Sequence, residues 1–150
     1  ALKIRRELAE KSPDAYLPDL AISCNNLAYL LSDTGSSKEA EELYREALKI
    51  RRELAEKSPD AYLPNLAIGC NNLANLLSDI GSFKEAEELY QEALKIRWNL
   101  AEENPKVYLP KLQLVCDNLT ALLEKTGRRE EADSLRREVA EFYQKQLAQQ

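Results

Sequence analysis

The chain has 150 residues, 44% hydrophobic and 31% charged with a net charge of −5, which bounds it to one domain or one array of small units around a buried core. No apolar run approaches the roughly 20 residues of a membrane-spanning helix, and the acidic balance argues against a nucleic-acid surface. Histidine is absent and only 4 glycines occur, so an imidazole base or ligand is excluded and a glycine-rich phosphate cradle lacks material.

An internal repeat governs everything else. ALKIRRELAEKSPDAYLP begins at Ala1 and again at Ala47, and a diverged copy begins at Ala93, a period of 46 residues. Blocks 1–46 and 47–92 differ only at Asp19/Asn65, Ser23/Gly69, Tyr29/Asn75, Thr34/Ile80, Ser37/Phe83 and Arg45/Gln91. Ala1 opens inside a helical pattern, which suggests a piece of a longer chain or an engineered array.

In chain order, residues 1–11 read as the tail of a preceding repeat's second helix, with Leu2, Ile4 and Leu8 forming an apolar stripe. Helix A of the first repeat is expected over about Leu17–Asp33, its buried face carrying Leu20, Cys24, Leu27, Ala28 and Leu31 at 3.6-residue spacing. Pro18, Pro64 and Pro110 are then expected in the first turn of each helix A, where a missing amide has no cost. Gly35, Gly81 and Gly127 stop each helix A at a C′ position. Helix B follows from Ser37 to about Ala55, burying Ala40, Leu43, Tyr44, Ala47, Leu48, Ile50 and Leu54. Ser58-Pro59-Asp60 reads as a stop. The expected repeats are 12–57, 58–103 and 104–150, the last ending in a polar segment. No strand pattern occurs, so the fold class is all-α, an α-solenoid of helix pairs that bury their faces on one another.

These residues resemble the tetratricopeptide repeat family. Cys24, Leu27-Ala28, Leu31, Gly35, Ala40, Tyr44 and Ala47 fill its slots, as do Cys70, Leu73-Ala74, Leu77, Gly81, Ala86, Tyr90 and Ala93. The third block departs at Thr120, Arg136 and Val139. The long period and the AsnAsnLeuAla sequence are similar to the kinesin-light-chain type. The resemblance implies a right-handed superhelix of antiparallel helix pairs, helix A lining the concave face, no catalytic residues, and a protein or peptide partner in the groove.

Carried over position by position, the groove is expected to hold Ile22, Asn25, Asn26 and Tyr29, then Ile68, Asn71, Asn72 and Asn75, then Leu114, Asp117 and Asn118. A carboxamide both donates and accepts, so a ladder of them suits the backbone of an extended peptide. Equally, asparagine is poor in helix interiors, and Asn26, Asn72 and Asn118 suit a bond to a neighbouring helix that holds the repeats in register. Asn25, Asn71 and Asp117 are expected on the more exposed side. No lysine or arginine stands where the chaperone-tail clamp of the family grips a carboxylate, and the acidic rim favours a neutral or basic segment.

Cys24, Cys70 and Cys116 recur once per repeat on an apolar stripe, which fits packing and not a zinc site; no metal or cofactor is expected. Reduced thiols fit a cytoplasmic location. The charge runs at 38–42 and 51–53 read as solvated helix faces with i,i+4 pairs. The Tyr16-Leu17-Pro18 segment and its copies read as plugs over the neighbouring helix pair. Three roles follow: a non-catalytic scaffold binding a peptide or helix, a self-assembly module using Leu2, Ile4 and Leu8 at its open end as a homo-oligomer contact, or a structural spacer in a multidomain protein.

Overall fold

The computed structural model describes residues 2–149. Seven helices are present among them: α1 (Leu2–Lys11), α2 (Pro13–Asp33), α3 (Ser37–Lys57), α4 (Pro59–Asp79), α5 (Phe83–Glu103), α6 (Pro105–Lys125) and α7 (Arg129–Ala148). Each packs mainly on the helices before and after it in sequence, so the chain is an all-α solenoid. Pairs α2–α3, α4–α5 and α6–α7 turn at glycine. Gly35, Gly81 and Gly127 have φ of +88°, +88° and +81°, where an L side chain is strained. The turn is a Schellman motif: Ser36 N–H donates to Leu31 O at 2.8 Å and Gly35 N–H to Ser32 O at 3.2 Å.

The return from helix B to helix A uses a single extended residue, Ser12, Ser58 or Asn104. Helix A therefore starts at Pro13, Pro59 and Pro105, four residues before the expected Leu17. Proline at the first helical position supplies a preset φ and gives up no intrahelical bond. Pro18, Pro64 and Pro110 consequently lie inside helix A rather than in its first turn. Each leaves the carbonyl four residues earlier without its amide, close enough to the helix start for the helix to continue. Tyr16 and Leu17 are thus helical and pack on the first cluster of core side chains.

The core runs along the array. Cys24, Cys70 and Cys116 are fully buried, as are Ala28 and Ala74. The departures of the third repeat pack well: Val139 is buried, and buried Thr120 donates its hydroxyl to Cys116 O at 2.8 Å. Arg136 turns outward to pair with Glu124 and Asp133. Leu27 is a correction. Expected in the core, it is 38% exposed, and Leu30 is 60% exposed, whereas their counterparts Leu73, Leu76, Leu119 and Leu122 are buried. The difference follows from α1, which has 10 residues where α3 and α5 have 21 and so covers only part of α2.

Charged residues hold the repeats together in a way that helix-local pairing does not capture. Arg6 meets Glu46 at 2.6 Å, Arg52 meets Glu92 at 2.5 Å and Arg45 meets Glu85 at 2.7 Å, each pair joining successive helices B. At the next step Trp98 stands where Arg52 does, and it stacks on Phe142 with centroids 4.3 Å apart. Arg51, expected on a solvated face, is buried at 6% exposure, as is its counterpart Arg97 at 5%. Arg97 donates to Lys111 O at 3.0 Å, whereas Nη1 of Arg51 has no partner among the described residues.

Candidate functional site: the helix A face

Residues three, four and seven apart on α2, α4 and α6 lie on one face of each helix, and the 46-residue repeat places these faces in a row. Ile22, Tyr29 and Leu114 stand out from it, 47%, 60% and 51% exposed, while Ile68 of the middle repeat is half-buried. Large apolar groups this exposed contribute little to the core, and Ile22 and Leu114 occupy equivalent positions of α2 and α6.

The asparagines are tied to one another. Asn72 Nδ2 donates to Asn25 Oδ1 at 3.2 Å, and Asn118 Nδ2 donates to Asn71 Oδ1 at 3.1 Å. Each bond spans one repeat. Asn26, at the head of this ladder, is exposed and makes no side-chain hydrogen bond among the described residues; Asp117, at its foot, is exposed and accepts from Gln113 Nε2 at 2.9 Å. Asn71, expected on the more exposed side, is only 6% exposed, because a repeat packs on either side of it. Asn25 is half-buried.

Asn75 is also engaged, its Oδ1 accepting from the Tyr90 hydroxyl. In the first repeat Tyr29 takes that position, and the matching Tyr44 lies close to Tyr29 and Asp33. Burial first, then those two groups, push the Tyr44 hydroxyl up; burial and Asp79 push Tyr90 up to about 12. Between α4 and α6 the face dips into an open recess of about 460 Å3, lined by Asn75, Asp79, Tyr90, Asn118, Leu122 and Lys125, among others.

The thiols cannot take part in surface chemistry. Desolvation raises Cys24 and Cys116 to about 11 and Cys70 to about 12, so all three remain protonated near neutrality. At the open end, Ile4 is 60% exposed, but Leu2 and Leu8 are half-buried, Leu2 against the first cluster of core side chains. Leu27, which sequence reasoning placed in the core, and Leu30 are exposed as well. No described helix is long and apolar enough to cross a membrane.

The tetratricopeptide repeat profile matches residues 20–60 and 67–98, which cover most of the α2–α3 pair and most of α4–α5. These are tetratricopeptide repeats. Among solved structures the chain is similar to BtubC (BKLC) from P. vanneervenii, with a TM-score of 0.66 and 29% identity over 96% of this chain. It spans 53% of that neighbour, about half its length. The likeness agrees with the long-repeat, kinesin-light-chain-like type of tetratricopeptide repeat. A comparison with curated proteins gave no significant match. Repeats of this family mediate protein–protein interaction and scaffolding, and their solenoids are typically non-catalytic.

Proposed function

We propose that this tetratricopeptide-repeat solenoid is a protein-interaction scaffold that holds a peptide or helix of a partner protein along a concave groove formed by α2, α4 and α6. The observation that carries the reading is the exposure of Ile22, Tyr29 and Leu114 on the face that repeat packing leaves free. The division of labour among the asparagines refines it. Oδ1 of Asn25, Asn71 and Asn75 is already used within the scaffold, so their ligand-facing capacity is the remaining amide hydrogens, which suit peptide carbonyls. Affinity then rests on apolar contact, with the amides fixing the ligand's backbone.

The test is affinity. Peptides selected on the whole chain from a random library are expected to bind the Ile22→Asp, Leu114→Asp double variant at least about tenfold more weakly, a loss of roughly 1.4 kcal/mol, with unchanged helicity. Equal affinity for both proteins removes the groove from the account.

One observation favours a second reading, in which the open end is a contact. Ile4, Leu27 and Leu30 are exposed, whereas their counterparts Ile50, Leu73, Leu76, Leu119 and Leu122 are buried and Ile96 is half-buried. Straight head-to-tail stacking is opposed by α1, which already occupies part of the α2 surface that another helix B would need, so assembly through this end requires α1 to move aside. A mass that rises with protein concentration supports that reading.

A further inference from the structure

We propose that the cleft between the first two repeats takes a lysine or arginine side chain of the bound peptide, an inference that rests on the groove reading above. The recess between α4 and α6 shows which positions line such a cleft: Asn75 and Asp79 on one side, Lys125 on the other, with Tyr90 beneath. One repeat earlier, the same positions hold Tyr29, Asp33, Asp79 and Tyr44. The cation of the later cleft is thus replaced by a second carboxylate, and the amide by an aromatic ring that is 60% exposed. No ion pair among the described residues uses Asp33 or Asp79, although arginines elsewhere along the array are paired. Tyr29 and Asp33 both lie close to the Tyr44 hydroxyl, so the ring, one carboxylate and a phenol share the site.

The chemistry favours a long cationic side chain over a compact ion. Its alkyl stem covers the Tyr29 ring, its charge meets the ring face, and its N–H groups reach the carboxylates. An acidic side chain would be repelled here. The two clefts therefore differ in what they accept. The first selects a base, and the second, which has Lys125 in its lining, has no such preference. A bound peptide would be oriented by this asymmetry, its basic residue at the α2–α4 end.

Selection from a random dodecapeptide library tests this, run on the wild-type chain, on Asp33→Asn/Asp79→Asn and on Glu53→Gln/Glu56→Gln, which removes two exposed charges of α3 outside the groove. The wild type and the α3 variant are expected to yield peptides with lysine or arginine at one recurrent position, and the Asp33/Asp79 variant is not. Replacing that lysine or arginine with norleucine in the best peptide should weaken binding roughly tenfold on the wild type and leave it unchanged on the Asp33/Asp79 variant. Peptides that bind the groove without a recurrent base overturn the cation site and leave the groove reading intact. Recurrent bases that survive Asp33→Asn/Asp79→Asn, or that vanish equally on the α3 variant, also overturn it by showing that net charge alone is responsible. If no peptide is recovered on any protein, the groove reading fails and this inference fails with it.

Discussion

Asn118 donates its side-chain amide to Asn71 at 3.1 Å, repeating one helix pair later the bond from Asn72 to Asn25. The ladder staples each helix A to the previous one, and only its head, Asn26, has no acceptor ahead of it. Replacing Asn72 with Ala should therefore cost about 1 kcal/mol more than replacing Asn26 with Ala. Both substitutions gain the same helix propensity, so their difference isolates the bond. Urea unfolding of the two variants measures it; equal midpoints would show that the amide pair contributes nothing.

Among the described residues Nη1 of buried Arg51 has no partner, and Gly69 offers it no side-chain acceptor. In the first repeat Arg5 donates to Ser23 Oγ at 2.5 Å, and Gly69 is the residue that replaces this serine. A Cβ there would meet the Arg51 side chain and Leu48 at 3.4 Å, an ordinary contact. Gly69→Ser should stabilise the chain by about 1–2 kcal/mol, from helix propensity and a hydrogen bond to a buried charge. Thermal unfolding reads the change, and a lower midpoint would contradict the account.

Trp98→Arg restores on α5 the residue that pairs with a glutamate from α1 and from α3, and Glu138 occupies the matching glutamate position on α7. An exposed ion pair supplies about 0–1 kcal/mol, less than the loss of the half-buried stack on Phe142. A net destabilisation of about 1–2 kcal/mol is expected by urea unfolding. A neutral result would mean the stack is not a packing contact of any weight.

Alkali should unfold the protein through its buried acids. Cys24 and Cys116 are raised to about 11, Cys70 and Tyr90 to about 12, and Tyr44 is raised too, each first by burial. Such groups bind more protons folded than unfolded, so their contribution is complete below pH 9 and falls as pH rises from about 9 to about 12. The urea midpoint should drop across that window and stay level from pH 7 to 8.5. A rise above pH 9 would contradict the burial of these groups.

Periodicity made the helix pairs legible, because a 46-residue repeat with glycine after each helix A constrains the array before any contact is known. Helix A began earlier than expected because proline is compatible with two positions, the first turn and a site just beyond it, and spacing alone does not choose. The groove residues were legible as a face, but whether an asparagine meets a ligand or another asparagine depends on the rise between repeats. That rise is a property of packing. The ion pairs between helices B, at an offset of 40 residues, stayed hidden behind i,i+4 spacings that look sufficient on one helix. Burial of Arg51 was hidden too, since nothing in an ArgArgGlu run says which arginine faces the next helix.

The central claim is tested most directly by amide chemical-shift mapping of the whole chain with a selected peptide. The account predicts saturable shifts at Ile22, Tyr29, Asn75 and Leu114, with little change at Trp98 and Arg52 on helix B. Shifts concentrated on the helix B surface, or at Ile4 and Leu30, would contradict it and move the binding site to the outer face or to the open end.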